Sequence, residues 1–171
     1  MKTARIPAAI FGVMIVGYIV FLAGTASLLP PRIASHFDAS GRPDGWSNRS
    51  TAVILHSIFG LVSPIVITTL CCIFRFIPVE KIKMPRRDYW FSPERRDETC
   101  TYLARQGLAL GSLLIGLQAL AWYQVVEANT AEVKQLPQTA FTFVLMAYGL
   151  VMVMWVLRLF RHFVQPPTER S

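Results

Sequence analysis

Charged side chains are scarce in this sequence, and their scarcity is the first guide to its class. Only 16% of the 171 residues are Asp, Glu, Lys or Arg, whereas 53% are hydrophobic. A soluble domain typically carries about 25% charged residues. The deficit therefore indicates an integral membrane protein in contact with the lipid bilayer.

Acidic residues are the scarcer of the two signs, since 17 basic and 10 acidic side chains leave a net charge of +7. In a soluble protein such an excess would suggest a nucleic-acid partner. Here the basic residues gather at the ends of long apolar runs, where the positive-inside rule expects them. We therefore predict no nucleic-acid partner.

The sequence also has few cysteines and lacks the motifs of common enzymes. Cys71 and Cys72 lie in an apolar run and Cys100 in a segment expected in the cytoplasm, so we predict no structural disulfide outside the membrane. No C-x-x-C pair with zinc-knuckle spacing is present. Neither is a G-x-S-x-G, H-E-x-x-H, P-loop or dinucleotide-binding fingerprint. We accordingly assign no catalytic residue and favour a protein that is not an enzyme.

The sequence does contain four long apolar runs. A helix needs roughly 20 apolar residues to cross ~30 Å of hydrocarbon, and each run reaches that length. None alternates in the manner of barrel strands, so helices are the only way to satisfy their backbone groups in lipid. The predicted fold is a single all-α membrane domain, residues 1–171, with transmembrane helices at about 6–29, 51–77, 102–126 and 139–164.

Loop charges predict the orientation of these helices. Because cytoplasmic loops are enriched in Lys and Arg, the side with 13 of the 17 basic residues is expected to be cytoplasmic. That side holds both termini and the connector 78–101, and the other holds an exterior loop, 30–50, and the short loop Glu127–Pro137. The four basic residues on the exterior side are Arg32, Arg42, Arg49 and Lys134. The thirteen on the cytoplasmic side are Lys2, Arg5, Arg75, Lys81, Lys83, Arg86, Arg87, Arg95, Arg96, Arg105, Arg158, Arg161 and Arg170.

The exterior loop holds the main candidates for chemistry. His36, Asp38 and Asp44 lie among Pro and Gly residues that favour turns. An imidazole and two carboxylates are reasonable ligands for a divalent metal and equally a proton-handling group, although their spacing is no known metal signature.

The same residues also have a structural interpretation, which we favour. Asp38 would form an Asx turn, Asp44 would pair with Arg42 or Arg49, and His36 would tuck under the loop. Trp46 would anchor the start of the second span at the membrane interface, although it is equally a ligand- or partner-binding candidate.

His56 lies inside the second span, where an ionisable residue is functional by default. Alternatively, it reaches the interface or bonds a neighbouring helix. If the exterior loop folds back, His36 and His56 would approach each other. Elsewhere in the spans, Pro64 predicts a kink, and the Gly107-x-x-x-Gly111 spacing predicts close helix packing.

The connector carries an aromatic group around Trp90 followed by a dense charge cluster. Ser92-Pro93-Glu94 is typical of a helix start, with Ser92 as the N-cap, and the helix should continue into the third span. Glu94, Arg95 and Arg96 would form either a solvated helix turn with internal ion pairs or a contact surface for a cytoplasmic partner or lipid headgroup.

Two segments carry recognisable motifs. They are Leu29-Pro30-x-Arg32-Ile33, His36-Phe37 and Gly41-x-Pro43-Asp44-x-Trp46 in the exterior loop, and Tyr89-Trp90-Phe91-x-Pro93-Glu94-Arg95-Arg96-x-Glu98-Thr99 in the connector. These motifs resemble those of a bacterial membrane domain of unknown function that is also found at the start of Sdp-type toxin-immunity proteins, although Ala34 stands where that family usually has Pro. The resemblance implies a small bacterial inner-membrane protein linked to sensing or neutralising a toxin, although the larger immunity proteins have additional spans.

Three functions remain open from the sequence. The favoured one is a non-enzymatic membrane protein whose exterior loop binds a partner or ligand, in toxin immunity or envelope stress, without a cofactor. The second is a membrane-embedded enzyme or transporter that uses the His/Asp cluster on a metal, a proton or a lipid headgroup. The third is a structural subunit, with a protein partner or a second copy bound through the Gly-rich span and the connector.

Overall fold

The computed structural model describes residues 4–38, 40–131 and 138–164. Lys2, Lys134 and Arg170, both termini and most of the loop Glu127–Pro137 lie outside these residues. The chain forms α1 (Arg5–Ala26), strands β1 (Arg32–Phe37) and β2 (Pro43–Asn48), and α2 (Arg49–Ser57). A π-helical turn, Ile58–Val62, joins α2 to α3 (Ser63–Cys72), which ends in a 3₁₀ turn, Ile73–Arg75. After a second 3₁₀ turn, Val79–Lys81, come α4 (Arg87–Trp90), α5 (Arg96–Thr130) and α6 (Gln138–Val164).

Four helical segments are long and apolar enough to cross a membrane: Arg5–Ala26, Arg49–Arg75, Arg96–Thr130 and Leu145–Val164. Large apolar side chains are exposed along all four, as at Val13, Phe59, Leu113 and Leu157, which fits contact with lipid. The predicted all-α fold with four spans is confirmed. Below, the end of the bundle with the strands is called the hairpin end, and the opposite end the connector end.

The second span changes its helical geometry ahead of Pro64. Proline lacks an N–H donor and clashes with the preceding turn of an α-helix. The π-helical turn immediately before it widens the helix there. Gly60 in this turn lies against the Tyr18 ring, and a Cβ at Gly60 would come within 2.3 Å of the ring. The Tyr18 hydroxyl also donates to the His56 carbonyl at 2.8 Å, so α1 and the π turn are fixed to each other.

The helices α1 and α3 pack closely against α5, and the two glycines of the third span make this possible. A Cβ at Gly107 would lie 2.5 Å from Cys71 Cβ, and one at Gly111 would lie 2.5 Å from Thr68 Oγ1 and 2.7 Å from Phe11. Thr68 also donates to the Gly107 carbonyl at 3.1 Å. The predicted packing role of this glycine pair is confirmed.

A second apolar cluster closes the connector end and includes Ile82, Phe91 and Leu103. Trp90 is buried here, its Nε1 donates to the Phe163 carbonyl at 2.9 Å, and its own carbonyl accepts from Thr99 Oγ1 at 2.7 Å. The connector is thereby joined to the end of α6 and the start of α5.

The helix start predicted at Ser92-Pro93 is wrong. The helix α5 begins at Arg96, with Arg95 at the N-cap position and no side-chain cap. Residues 93–95 form a turn instead, in which the Ser92 carbonyl accepts from the amides of Arg95 and Arg96. The expected continuation of this helix into the third span is correct.

Candidate functional site

The exterior loop of the sequence analysis is an antiparallel β-hairpin, which the sequence did not predict. Arg32 pairs with Asn48, Ile33 with Ser47 and Ala34 with Trp46, and the register shifts on either side of His36. Such a shift is typical of a bulge, which bends the strand locally. The hairpin therefore has a defined register rather than being an irregular loop.

Asp38 and Gly41 close the hairpin. Asp38 Oδ1 accepts from Ser40 N at 2.7 Å, Ser40 Oγ at 2.6 Å and Arg42 N at 2.9 Å. The Ser40 and Arg42 hydrogen bonds hold the pKa of Asp38 below its usual value. Gly41 has φ 79°, which favours glycine. The turn predicted for Asp38 is present, and its carboxylate is occupied in building it.

His36 and Asp44 form the most polar feature on the hairpin. His36 Nδ1 lies 2.5 Å from Asp44 Oδ1, and the side chains are 75% and 44% exposed. Because a carboxylate only accepts hydrogen bonds, Nδ1 carries the proton and Nε2 is left for another group when the imidazole is neutral. A close approach at Gly45 permits this arrangement, since a Cβ there would lie 2.8 Å from His36 Cβ.

Two details of the structural interpretation are wrong. Asp44 pairs with His36 rather than with Arg42 or Arg49, because the strand register brings His36 beside it. His36 is exposed rather than tucked under the loop. Arg49 instead donates from Nη1 to the Leu29 carbonyl at 2.9 Å and so fixes the start of the hairpin to the start of α2.

Asn129 on α5 anchors the hairpin to the bundle. Its Oδ1 accepts from Ala34 N at 2.7 Å, and its Nδ2 donates to the Ala34 carbonyl at 2.9 Å. Nδ2 also donates to the Val125 carbonyl at 2.8 Å. Asn129 is only 5% exposed, and Ile33 and Ala34 are fully buried. The Asn129 side chain therefore makes the two hydrogen bonds with Ala34 that a neighbouring strand would make, and it fixes β1 against α5.

Beneath the hairpin, His56 packs against Trp122, with ring centroids 4.9 Å apart. Trp122 is fully buried and donates from Nε1 to Thr25 Oγ1 at 2.7 Å. His56 Nδ1 and Gln124 Oε1 are buried without a hydrogen-bond partner among the described residues. His56 therefore belongs to the core between the helices, whereas His36 bonds Asp44 at the surface.

The three metal-ligand candidates do not come together. Within residues 4–38, 40–131 and 138–164, no group of three or more His, Cys, Asp or Glu side chains could hold a metal ion. Asp38 faces its own turn, and only His36 and Asp44 are in contact. Among these three candidates, the structure pairs His36 with Asp44.

The charged residues of the connector contact neighbouring groups at the connector end. Arg96 donates from Nη2 to the Ile77 carbonyl at 3.0 Å and the Arg75 carbonyl at 3.2 Å, which caps the end of the second span. Arg95 donates to the Tyr89 hydroxyl and lies 4.0 Å over the same ring. Glu94 is exposed, and its own amide, followed by the Ser92 hydroxyl, lowers the pKa of its carboxyl. In these contacts Arg95 and Arg96 bond Tyr89 and backbone carbonyls rather than forming the ion pairs that the structural alternative expected, and the alternative of a contact surface for a cytoplasmic partner or lipid headgroup stays a prediction.

The comparison with known families bears on the part of the chain that contains the hairpin. Residues 13–60 match the family described as Domain of unknown function (DUF1648). The predicted resemblance to a domain of unknown function is confirmed over these residues. No curated protein and no solved structure matches the chain. The DUF1648 match begins inside α1, includes the whole hairpin and α2, and ends in the π-helical turn.

The residues that support the hairpin from α5 lie outside the DUF1648 match and were missed by the sequence analysis. Asn129 and Trp122 are the clearest, because one fixes β1 and the other fills the space below it. The available signal was a buried-type amide at the end of a span, where polar side chains commonly bond a neighbouring element. For Asn129 the neighbouring element is β1, which is far away in sequence, so only the structure identifies it.

Proposed function

We propose that this protein is a non-enzymatic integral membrane protein whose hairpin binds a partner at the outer face of a bacterial inner membrane, in toxin immunity or envelope stress. The observation that carries the proposal is the contrast between the two sides of the hairpin. One side is fixed to the bundle through Asn129, and the other exposes Trp46, His36 and Asp44.

The exposed side has the composition of a recognition surface. Tryptophan is enriched among residues that dominate binding energy, and Trp46 is 45% exposed on a strand whose register is fixed. The His36–Asp44 pair beside it offers both a charge and a free ring nitrogen. A surface that is ordered before binding loses less entropy when a partner docks. These features support recognition better than they support catalysis.

The resemblance to the start of Sdp-type immunity proteins favours a toxin as the partner class, and it rests on the hairpin residues themselves. His36, Phe37, Gly41, Pro43, Asp44 and Trp46 carry the signature. Within the hairpin, Gly41 and Gly45 shape the backbone, whereas His36, Asp44 and Trp46 are exposed.

We further propose that the hairpin faces the cell exterior and the connector the cytoplasm, on the strength of the basic-residue bias. Two single-cysteine additions test this orientation, Asn48→Cys on β2 and Glu98→Cys at the start of α5, both at exposed positions. A membrane-impermeant maleimide should label Asn48→Cys in intact spheroplasts and Glu98→Cys only after permeabilisation. The unmodified chain serves as the blank, and the reverse labelling pattern would show the opposite orientation.

The binding proposal predicts that protection depends on Trp46. Cells that produce the protein should survive a panel of envelope-acting peptide toxins better than cells without it. Trp46→Ala should reduce the surviving fraction roughly tenfold or more, because an aromatic hot spot contributes about 2 kcal/mol to binding. His36→Ala should act in the same direction at equal protein abundance in the membrane.

Tyr123→Ala is the matched control for Trp46→Ala. Tyr123 is an aromatic of similar exposure, 50%, on α5 near the same end of the bundle. If Trp46 only anchors the protein at the interface, both variants should behave alike. Unaltered protection by Trp46→Ala and His36→Ala, or no protection by the unmodified protein under any toxin or envelope stress, would refute the proposal.

A further inference from the structure

The seam between α5 and α6 has a regular pattern on both helices. Tyr102, Gln106, Ala109 and Leu113 follow one face of α5 at helical spacing. Tyr148, Val151, Trp155, Arg158 and His162 do the same on α6. Two contacts set the register: the Tyr102 and His162 rings stack at 4.1 Å, and Trp155 Nε1 donates to Gln106 Oε1 at 2.9 Å. The helices are therefore antiparallel neighbours at the connector end.

Two cavities lie along this seam. The one at the connector end has a volume of about 760 Å³, and its lining includes the aromatic or cationic side chains Tyr102, Trp155, Arg158, Arg161 and His162 together with the apolar Met154 and Leu157. The other, of about 600 Å³, lies further towards the hairpin end and is almost wholly apolar, with walls that include Leu113, Leu117, Leu120, Phe143 and Val151. The seam thus changes from cationic and aromatic at one end to apolar along the rest.

Arg158 and Arg161 supply the charge. They are three residues apart on α6, so they share a face, and both are exposed at the end of a span. Within the described part of the chain, no carboxylate forms an ion pair with either guanidinium. Two cations beside interfacial aromatics match an anionic headgroup, because guanidinium groups bind phosphate oxygens in a forked geometry.

The length of the seam identifies the kind of anion. A free phosphate would account for the two arginines but would leave the apolar cavity unexplained. A phospholipid has both parts in the same order, a charged head at the membrane surface and acyl chains in the hydrocarbon. Basic pockets between transmembrane helices are known to bind anionic lipid headgroups.

We propose that the seam between α5 and α6 binds one anionic glycerophospholipid, with its phosphate at Arg158 and Arg161 and an acyl chain along the apolar cavity. The site is separate from the hairpin, so it stands or fails independently of the function proposed above.

The test measures the lipid that the full chain retains when it is extracted from vesicles of equal parts phosphatidylglycerol and phosphatidylcholine and examined by native mass spectrometry. The unmodified protein should retain one phosphatidylglycerol in preference to phosphatidylcholine. Arg158→Gln with Arg161→Gln should lower that retention at least tenfold, since each basic residue near the membrane contributes roughly fivefold.

Lys81→Gln with Lys83→Gln is the matched control, because it removes two exposed charges at the same end of the bundle but outside the seam. It should retain the lipid as the unmodified protein does. Equal retention by both double variants, or equal loss from both, would overturn the proposal, the second because it would indicate a diffuse charge effect. Equal melting temperatures without added lipid would show that both variants are folded.

Two further measurements separate a lipid from a free anion. Excess glycerol 3-phosphate should fail to displace the lipid, and Ala147→Trp, which narrows the apolar cavity, should weaken retention while both arginines remain. Full displacement by the soluble phosphate, or unchanged retention in Ala147→Trp, would contradict a site that includes the acyl chain.

Discussion

Replacing Asn129 with leucine should release the hairpin from the helix bundle. Leucine has a similar volume but no hydrogen-bonding group, so the buried N–H and C=O of Ala34 would both lose their partner. A buried backbone group left unsatisfied costs about 1–3 kcal/mol, hence about 2–6 kcal/mol for the two. That is comparable with the stability of a docked two-stranded hairpin, which is marginal by itself.

Amide hydrogen exchange in detergent micelles would measure the release directly. Peptides that cover β1 should exchange much faster in Asn129→Leu, whereas peptides from the core of α5 should stay protected. Thr130→Val is the control, since Thr130 is the next residue and its hydroxyl bonds only carbonyls of its own helix. Unchanged exchange in β1 would show that Asn129 is not the anchor.

The same variant connects the anchor with the proposed function. Asn129→Leu alters no residue on the exposed side of the hairpin, yet it should reduce protection against the toxin panel because Trp46 and His36 would lose their fixed position. Protection at the unmodified level together with a released hairpin would mean that recognition does not need the ordered register.

Filling the contacts of Gly107 and Gly111 should have the second large effect. Alanine at either position places a Cβ within 2.7 Å of a neighbouring helix: at Gly107 against Cys71, and at Gly111 against Thr68 and Phe11. Overpacking of this kind typically costs about 1–3 kcal/mol. The two losses should not add fully, because Thr68 contacts both sites.

Gly116→Ala on the same helix is the appropriate reference. Its Cβ would meet only Met14, at an ordinary 3.7 Å, and it gains the same helix propensity, about 1 kcal/mol, that alanine provides at the other two positions. The difference in stability between Gly116→Ala and either of the other two variants therefore measures the cost of overpacking alone. Thermal unfolding in micelles should place Gly107→Ala and Gly111→Ala clearly below Gly116→Ala. Equal midpoints would exclude close packing at these glycines.

The spans were predictable because hydropathy and length are local properties. The third span illustrates the limit: the apolar run 102–126 lies inside the longer helix Arg96–Thr130, whose ends carry polar residues beyond the hydrocarbon. Hydropathy identifies only the lipid-embedded part of this helix, and capping residues predicted its continuation into the connector but placed its start at Ser92 rather than at Arg96. Packing of the Gly107–Gly111 pair was likewise predictable from spacing alone.

The hairpin was not predictable, because its determinants are mostly tertiary. The strand β1 has no alternating pattern, and only β2 alternates, with Asp44, Trp46 and Asn48 exposed. The bond that fixes β1 comes from Asn129, 95 residues away in sequence. The partner of His36 depends on the register, so the sequence identified both His36 and Asp44 as candidates, but the favoured interpretation paired Asp44 with Arg42 or Arg49 and placed His36 under the loop.

The length of α5 has a structural consequence. Its 35 residues form one continuous helix, about 52 Å long at 1.5 Å per residue, which exceeds the thickness of a bilayer with its headgroups. Near one end of α5, Asn129 forms hydrogen bonds with β1, and near the other end Thr99 donates a hydrogen bond to the Trp90 carbonyl. The hairpin and the connector, which lie at opposite ends of the bundle, are therefore both hydrogen-bonded to the same continuous helix.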